Sequence, residues 1–325
     1  MNMRDRLRAR IDGVHFSRFR FWVQAACFAL IVYGGHLGLF WGRSLPVLAC
    51  GYGGANRLGI CYLMPLQAAL DTPWQRWTQA FAIATLIGFL VFCAWFLVFN
   101  RTWCGFACPF GTLQDWISAL RRRLGLRGTE WGDTLARRLS RLRYLLLGFA
   151  ILYPLGAGAG WLPRIFLPFC QICPAKMITP LFSGEPDTLS VDFSSAETQV
   201  MTAIGMAVTG LFVAGAFVKK RFWCFFCPMG ALQYLISRPA PLRLIKDGDK
   251  CTRCGDCVRV CDMNIQAIAD DVVSRDIMTE DCILCLKCVA ACPEVDALKL
   301  TFLGKTVFAA TDQGFVSRMD KDGKP

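Results

Sequence analysis

The sequence predicts an α-helical membrane protein with about four transmembrane helices and a small cysteine-rich α+β domain near its C-terminal end. Two observations carry that prediction. The chain is 54% hydrophobic and only 18% charged over 325 residues, with a mean hydropathy of +0.40, more apolar than the surface of a soluble protein requires. Eight of its 18 cysteines also fall in two identical runs late in the sequence, while the apolar stretches lie before them.

The elements follow in order. A basic segment, 1–20, carries Arg4, Arg6, Arg8, Arg10, Arg18 and Arg20, and the membrane domain is expected over 21–240. Within it four stretches are long and apolar enough for a bilayer core of about 30 Å: 21–41, 78–99, 144–161 and 201–218. The third contains Pro154 and several glycines, which membrane helices tolerate when neighbours satisfy the freed backbone groups. Basic residues crowd before the first span, between the second and third (Arg121, Arg122, Arg123, Arg137, Arg138, Arg141 and Arg143 among them) and after the fourth (Lys219, Lys220, Arg221). The other two loops are poor in them, so both termini are expected in the cytoplasm of a bacterial inner membrane, the chain crossing it several times. The first apolar run is longer than the core of a secretory signal and shows no A-x-A cleavage site, so it reads as a retained anchor. The net charge of +12 is then mainly a topology signal. No basic and aromatic stacking surface accompanies it, which excludes nucleic acid as the expected partner.

Residues 246–300 form the predicted cysteine-rich domain, followed by a polar tail over 301–325. Cys251, Cys254, Cys257 and Cys261, then Cys282, Cys285, Cys288 and Cys292, repeat the spacing C-x2-C-x2-C-x3-C, the run that wraps a [4Fe-4S] cluster. Three close thiolates on one loop hold three irons of a cube, and the fourth cysteine is too far along to share that face. Cys251, Cys254, Cys257 and Cys292 are therefore assigned to one cluster, and Cys282, Cys285, Cys288 and Cys261 to a second. Zinc sites instead pair two short cysteine units across a longer gap. The segments CTRCGDCVRVCD and CILCLKCVAACP resemble a bacterial two-cluster ferredoxin. One departure is Asp262, which stands where such ferredoxins carry the proline that Pro293 supplies after Cys292. An altered potential, with ligation intact, is the expected result.

A second repeat lies in the membrane domain. Trp103-Cys104-Gly-Phe-Ala-Cys108-Pro109-Phe-Gly111-Thr-Leu113-Gln114 and Trp223-Cys224-Phe-Phe-Cys227-Pro228-Met-Gly230-Ala-Leu232-Gln233 each begin where a span exits on the cytoplasmic side. After the first, Leu113, Trp116, Ile117, Leu120 and Leu124 recur at helical spacing, which predicts an amphipathic helix along the inner membrane surface. Cysteines brought to a helix start, with proline setting φ for the first turn, have thiolates favoured by the helix dipole. Cys104, Cys108, Cys224 and Cys227 are thus candidates for a further metal or cluster site, for a redox-active dithiol, or for plain packing. On the predicted outer face Cys50, Cys61, Cys170 and Cys173 form another set, read as disulfides, a metal or cluster site, or thiols in exchange. Cys27 and Cys93 sit within spans and read as small core residues.

Spans ending in C-x3-C-P-x-G-x-L-Q, followed by a two-cluster domain, resemble the membrane polyferredoxins of the NapH, MauN and NosR kind. The resemblance covers 78–300, with two departures: the second motif here is C-x2-C-P, and no flavin-carrying extracytoplasmic domain precedes the spans. It implies a membrane iron-sulfur protein that passes electrons to, or maintains the cofactor of, a periplasmic redox system. Its partners would be redox proteins, with quinone as a further candidate. The competing classes are an assembly or maintenance factor and a redox sensor.

Other redox chemistries have no support in the sequence. Only His15 and His36 occur, too few for the histidine pairs of a dihaem cytochrome b, and there is no C-x-x-C-H for covalent haem. No dinucleotide fingerprint or P-loop is present. No catalytic residue is assigned, and the chain reads as an electron carrier without substrate chemistry of its own. His36 reads as a structural hydrogen-bonding residue, and tryptophans near span ends, such as Trp41, Trp74, Trp161 and Trp223, as interfacial anchors.

Overall fold

The computed structural model describes residues 16–38, 61–73, 76, 83–129, 131–165, 167–183, 191 and 193–310; Cys50, Trp41, Trp74 and His15 lie outside them. The helical part opens with α1 (Phe16–Tyr33), a 3-10 turn (Gly34–Leu37), the short α2 (Leu63–Leu70) and α3 (Ile83–Phe99). A π-turn (Trp103–Ala107) leads into α4 (Pro109–Arg123), then the long α5 (Asp133–Gly158), the short α6 (Pro168–Ile172) and α7 (Pro174–Ser183). It closes with α8 (Ala196–Val218), a 3-10 turn (Phe222–Phe225) and α9 (Pro228–Ser237).

A helix occupies part of each predicted span, but among the described residues only one, over Thr198–Val218, is long and apolar enough to cross a membrane; Leu86–Phe99 is apolar but shorter. The other two differ for a physical reason. α1 begins with Arg18 and Arg20, and α5 carries Arg137, Arg138, Arg141 and Arg143 in its first turns, so each helix outlasts its apolar run.

The helices pack inside out. Leu86, Leu90, Leu145, Leu152 and Leu211 point outward, Leu145 with 69% of its surface exposed, while Arg20, Gln24, Arg101, Gln114, Arg143, Arg221 and Gln233 are buried, Arg221 completely. α4 shows the inversion within one element. Thr112, Gln114, Ser118 and Arg121 are its buried side, and Leu120 and Leu124 are exposed. The expected amphipathic helix is therefore present, with its polar stripe directed into the protein.

The C-terminal domain is a three-stranded antiparallel sheet, β1 (Leu242–Lys246), β2 (Leu298–Phe302) and β3 (Lys305–Ala309), with β2 in the middle and Leu244 opposite Leu300. Three short helices, α10 (Asp256–Arg259), α11 (Ala267–Asp270) and α12 (Lys287–Ala291), fill the excursion between β1 and β2. The sheet starts before 246 and reaches past 300, so residues 301–309, expected as the start of a polar tail, complete β2, turn at 303–304 and form β3 instead. Leu244, Ile268, Leu284, Val289 and Leu298 form the domain core, and Phe225 and Ala136 of the helical part belong to the same cluster. The two regions are packed together.

A cysteine-lined cavity beneath a two-cluster domain

The ferredoxin cysteines surround two small cavities, each of about 20 Å³. One is lined by Cys251, Cys254, Cys257 and Cys292, the other by Cys261, Cys282, Cys285 and Cys288. The loops are built alike. The residues on either side of the middle cysteine, Arg253 and Gly255 in one and Leu284 and Leu286 in the other, all have positive φ, between 48° and 80°. Alternating backbone of this kind curls its N–H groups into a concave nest suited to an anionic centre. Burial pushes the Cys282 and Cys292 thiols up to about 11 and Cys261 to about 12. Such sulfurs lose their protons to a metal rather than to water. Asp262 has found an ionic role: its carboxylate is buried, accepts from Lys287, and lies 3.9 Å from Lys220 at the end of α8.

The four cysteines of the duplicated membrane motif come together. Cys104, Cys108, Cys224 and Cys227 line one cavity of about 130 Å³. Cys108 and Cys227 stand directly before Pro109 and Pro228, the first residues of α4 and α9, with near-identical backbone angles (φ −61°, ψ 117° and φ −67°, ψ 112°). The repeats are interlocked through their glutamines. Gln114 accepts from the Trp223 backbone N–H at 2.8 Å and turns its amide towards the Cys224 sulfur at 4.0 Å. Gln233 in turn meets the Cys104 sulfur at 2.8 Å.

Arginines that read only as topology markers in the sequence, gathered around Asp115, build this site. Asp115 on α4 accepts from Arg221 at 2.7 and 2.9 Å, from Arg20 at 2.8 Å and from Gln24 at 2.9 Å. Arg221 and Arg20 also donate to the carbonyls of Cys104 and Gly105. Burial alone would raise the Asp115 carboxyl, but Arg221 and Arg20 outweigh it and hold it well below the usual carboxylate range. Arg101 donates to the carbonyls of Glu280, Thr279 and Cys282, and Arg143 pairs with Asp281. The repeat itself points to two of these arginines, because the motif extends upstream as Arg101-Thr-Trp-Cys and Arg221-Phe-Trp-Cys.

The donor set suits an anionic thiolate-ligated group. Arg101, Arg143 and Arg221 line the cavity, and the Nε atoms of Arg101 and Arg143 and the Trp103 indole N–H are buried donors without a partner among the described residues. Burial pushes Cys224 up to about 11 and Cys227 to about 12. Among the described residues no three Cys, His, Asp or Glu side chains converge closely enough for a single metal ion, the ferredoxin cysteines included. A tetrahedral ion with metal–sulfur bonds of about 2.3 Å draws its sulfurs within roughly 4 Å of one another. A cube bearing one thiolate on each iron spreads them wider.

Cys61, Cys170 and Cys173 line the same cavity. The sequence predicts them, with Cys50, as a separate constellation opposite the first; among the described residues one cavity is lined by both sets, because α2, α6 and α7 pack onto α5 and α8. Cys27 and Cys93 sit half-buried on α1 and α3.

Comparison with known proteins finds iron-sulfur families over the same segments. The family described as "4Fe-4S binding domain" matches residues 81–127 and 201–246, the two halves of the membrane repeat, and "4Fe-4S dicluster domain" matches 243–293. The chain is 28% identical over 74% of its length to the putative electron transport protein YccM of Escherichia coli, of which it spans 61%. It is 25% identical over 86% of its length to the ferredoxin-type protein NapH of Haemophilus influenzae, spanning 88% of that protein. With the methylamine utilization ferredoxin-type protein MauN of Paracoccus denitrificans it shares 24% identity over 80% of its length, spanning 82% of MauN. No solved structure matches the chain. The chain thus carries 4Fe-4S binding and dicluster domains, and over most of its length it is similar to the ferredoxin-type proteins NapH and MauN.

Proposed function

We propose that the protein is a multi-pass relay in the bacterial inner membrane, with its ferredoxin domain on the cytoplasmic side. It would pass single electrons between a cytoplasmic donor or the quinone pool and a redox partner at the membrane or in the periplasm. Cys251, Cys254, Cys257 and Cys292 would hold one [4Fe-4S] cluster, Cys261, Cys282, Cys285 and Cys288 a second, and Cys104, Cys108, Cys224 and Cys227 a third. Each bound cluster supplies one-electron storage by alternating iron valence. Membrane residence is supported by the outward leucines of α3, α5 and α8, an apolar exposure that a soluble protein would bury.

One observation carries the relay reading. Gly105, between Cys104 and Cys108, lies flat against the second ferredoxin loop. A Cβ placed on it would stand 2.7 Å from the Ile283 carbonyl oxygen and 2.9 Å from Cys285 Cα. Ile283 and Asp281 line the lower cavity themselves. The domain and the cavity thus share a wall, clamped by Arg101. At the far end Cys254 is exposed, which gives a soluble donor access to the first position.

The test is iron content and electron paramagnetic resonance of full-length protein purified anaerobically in detergent, wild type beside Cys108→Ser/Cys227→Ser. The variant should lose about four irons per chain, keep the ferredoxin signals, and fail to reduce an added acceptor from the membrane side. Unchanged iron and unchanged acceptor reduction would leave the motif cysteines a packing role.

A further inference from the structure

Cys61, Cys170 and Cys173 are assembled by the same local rules as the motif cysteines. Gln114 accepts from the backbone N–H of Trp223, donates to the carbonyl four residues back at 3.1 Å, and faces the sulfur of Cys224. Gln67 on α2 does all three. It accepts from the backbone N–H of Phe169 at 3.1 Å, donates to the Leu63 carbonyl, also four residues back, at 3.1 Å, and reaches the sulfur of Cys170 at 3.2 Å. The chain around each contact is alike: Phe169-Cys170-Gln-Ile-Cys173-Pro174 parallels Trp223-Cys224-Phe-Phe-Cys227-Pro228, and Cys61 stands six residues before Gln67, as Cys108 does before Gln114.

The backbone repeats as well. Cys173 precedes the first residue of α7, with φ −70° and ψ 130°. The carbonyl of each of Cys61, Cys173 and Cys227 accepts from the residue three places on, at 2.9–3.0 Å. Gln67 is fully buried and Lys176, donating to Gln171 inside the C-x-x-C loop, is 2% exposed. A buried amide and a buried ammonium are costly in an apolar helical core unless charge or polar groups meet them.

We infer that Cys61, Cys170 and Cys173 form a second thiolate site in the cavity, built like the Cys104 set and suited to an iron-sulfur cluster. It rests on the proposed reading of the cavity as an iron-sulfur chamber but not on occupancy of the Cys104 set. Gln67 is a positioning residue that orients the sulfur of Cys170 by donating to it. The fold provides for this approach at Gly205 on α8, where a Cβ would stand 2.9 Å from the Gln171 carbonyl oxygen. The C-x-x-C loop can press against that helix because no side chain intervenes.

The experiment compares Cys170→Ser/Cys173→Ser with wild type and with Cys108→Ser/Cys227→Ser, all full-length, anaerobic and in detergent, the ferredoxin-domain signals serving as the folding control. Loss of about four irons and of one signal other than the one removed by the Cys108/Cys227 variant is the expected result. It stands even if the Cys108/Cys227 variant loses nothing, in which case only the third centre of the relay fails. Iron content equal to wild type, stoichiometric zinc in place of iron, or recovery of Cys170 and Cys173 as a disulfide overturns the inference. Gln67→Leu leaves every cysteine in place and covers the case in which the double variant does not fold. It should shift the midpoint of the additional signal and no other, and a redox titration identical to wild type would count against the site.

Discussion

The ferredoxin domain and the helical part gather cysteines by opposite means. In the domain, three of four sulfurs per site come from seven consecutive residues, and one small nest of two positive-φ residues shapes each loop. In the helical part each motif contributes only two cysteines, the partners lie about 120 residues apart, and buried arginines and glutamines hold the pieces together. The first kind of site needs little beyond its own loop. The second exists only once the whole helical part has folded, with polar groups inside and leucines outside.

Single substitutions test that contrast most strongly at the loops. Cys257→Ser should cost the cluster of Cys251, Cys254, Cys257 and Cys292, whereas Cys261→Ser, four residues on, should cost the other, each removing about four irons per chain. Resonance spectra of the two variants check it, and loss of the same signal in both would break the crossed arrangement seen around the two cavities. Next is Asp115→Asn, which leaves Arg20 and Arg221 facing each other uncompensated, at a cost of about 3–5 kcal/mol by analogy with broken buried pairs. Iron at the cavity should fall while the ferredoxin signals persist, as metal analysis of the detergent-solubilised protein would show.

Leu211→Lys probes the outward face of α8. A charge at the centre of a membrane helix costs about 2.5–3.5 kcal/mol on insertion scales, against a few tenths for an exposed site in a soluble protein. Membrane fractionation with normal yield of the lysine variant would argue that α8 does not face lipid. Gly105→Ala forces a methyl group against the backbone of the second loop, and overpacking of this kind costs about 1–3 kcal/mol. Both ferredoxin signals should survive, with slower reduction of the cavity centre in rapid-freeze kinetics.

The smallest effect is a pH dependence. Asp115 is held below its unfolded value of about 3.9 by Arg221 and Arg20. Its contribution to stability is therefore complete above that value and is lost as pH falls through the lower folded value. Thermal unfolding of the wild type should show an acid-side decline that Asp115→Asn lacks.

How much of this was legible in the sequence follows from the same contrast. The grouping of the C-terminal cysteines about two cavities was readable because that geometry is local, and the helix positions because hydropathy is a local sum. The inversion of α4 was not, since Gln114, Asp115 and Ser118 look like a solvated stripe until Arg20, Arg221 and Trp223 are seen to meet it. Arg101 and Arg221 counted as topology markers, although their place two residues before each Trp-Cys pair marked them as part of the repeat. Gln67 carried no signal of its own. Its likeness to Gln114 lies in which distant backbone N–H it reaches, and no spacing along the chain records that.

The crossing of Gln114 to the second repeat and Gln233 to the first has the form of an isologous contact, the kind by which two identical subunits meet about a twofold axis. One repeat alone carries both halves of that contact. Of the cysteines lining the chamber the paired repeats supply only the four of the motif, and Cys61, Cys170, Cys173 and Arg143 from outside them complete its wall. The symmetry is incomplete, since three residues separate the cysteines of one repeat and two those of the other.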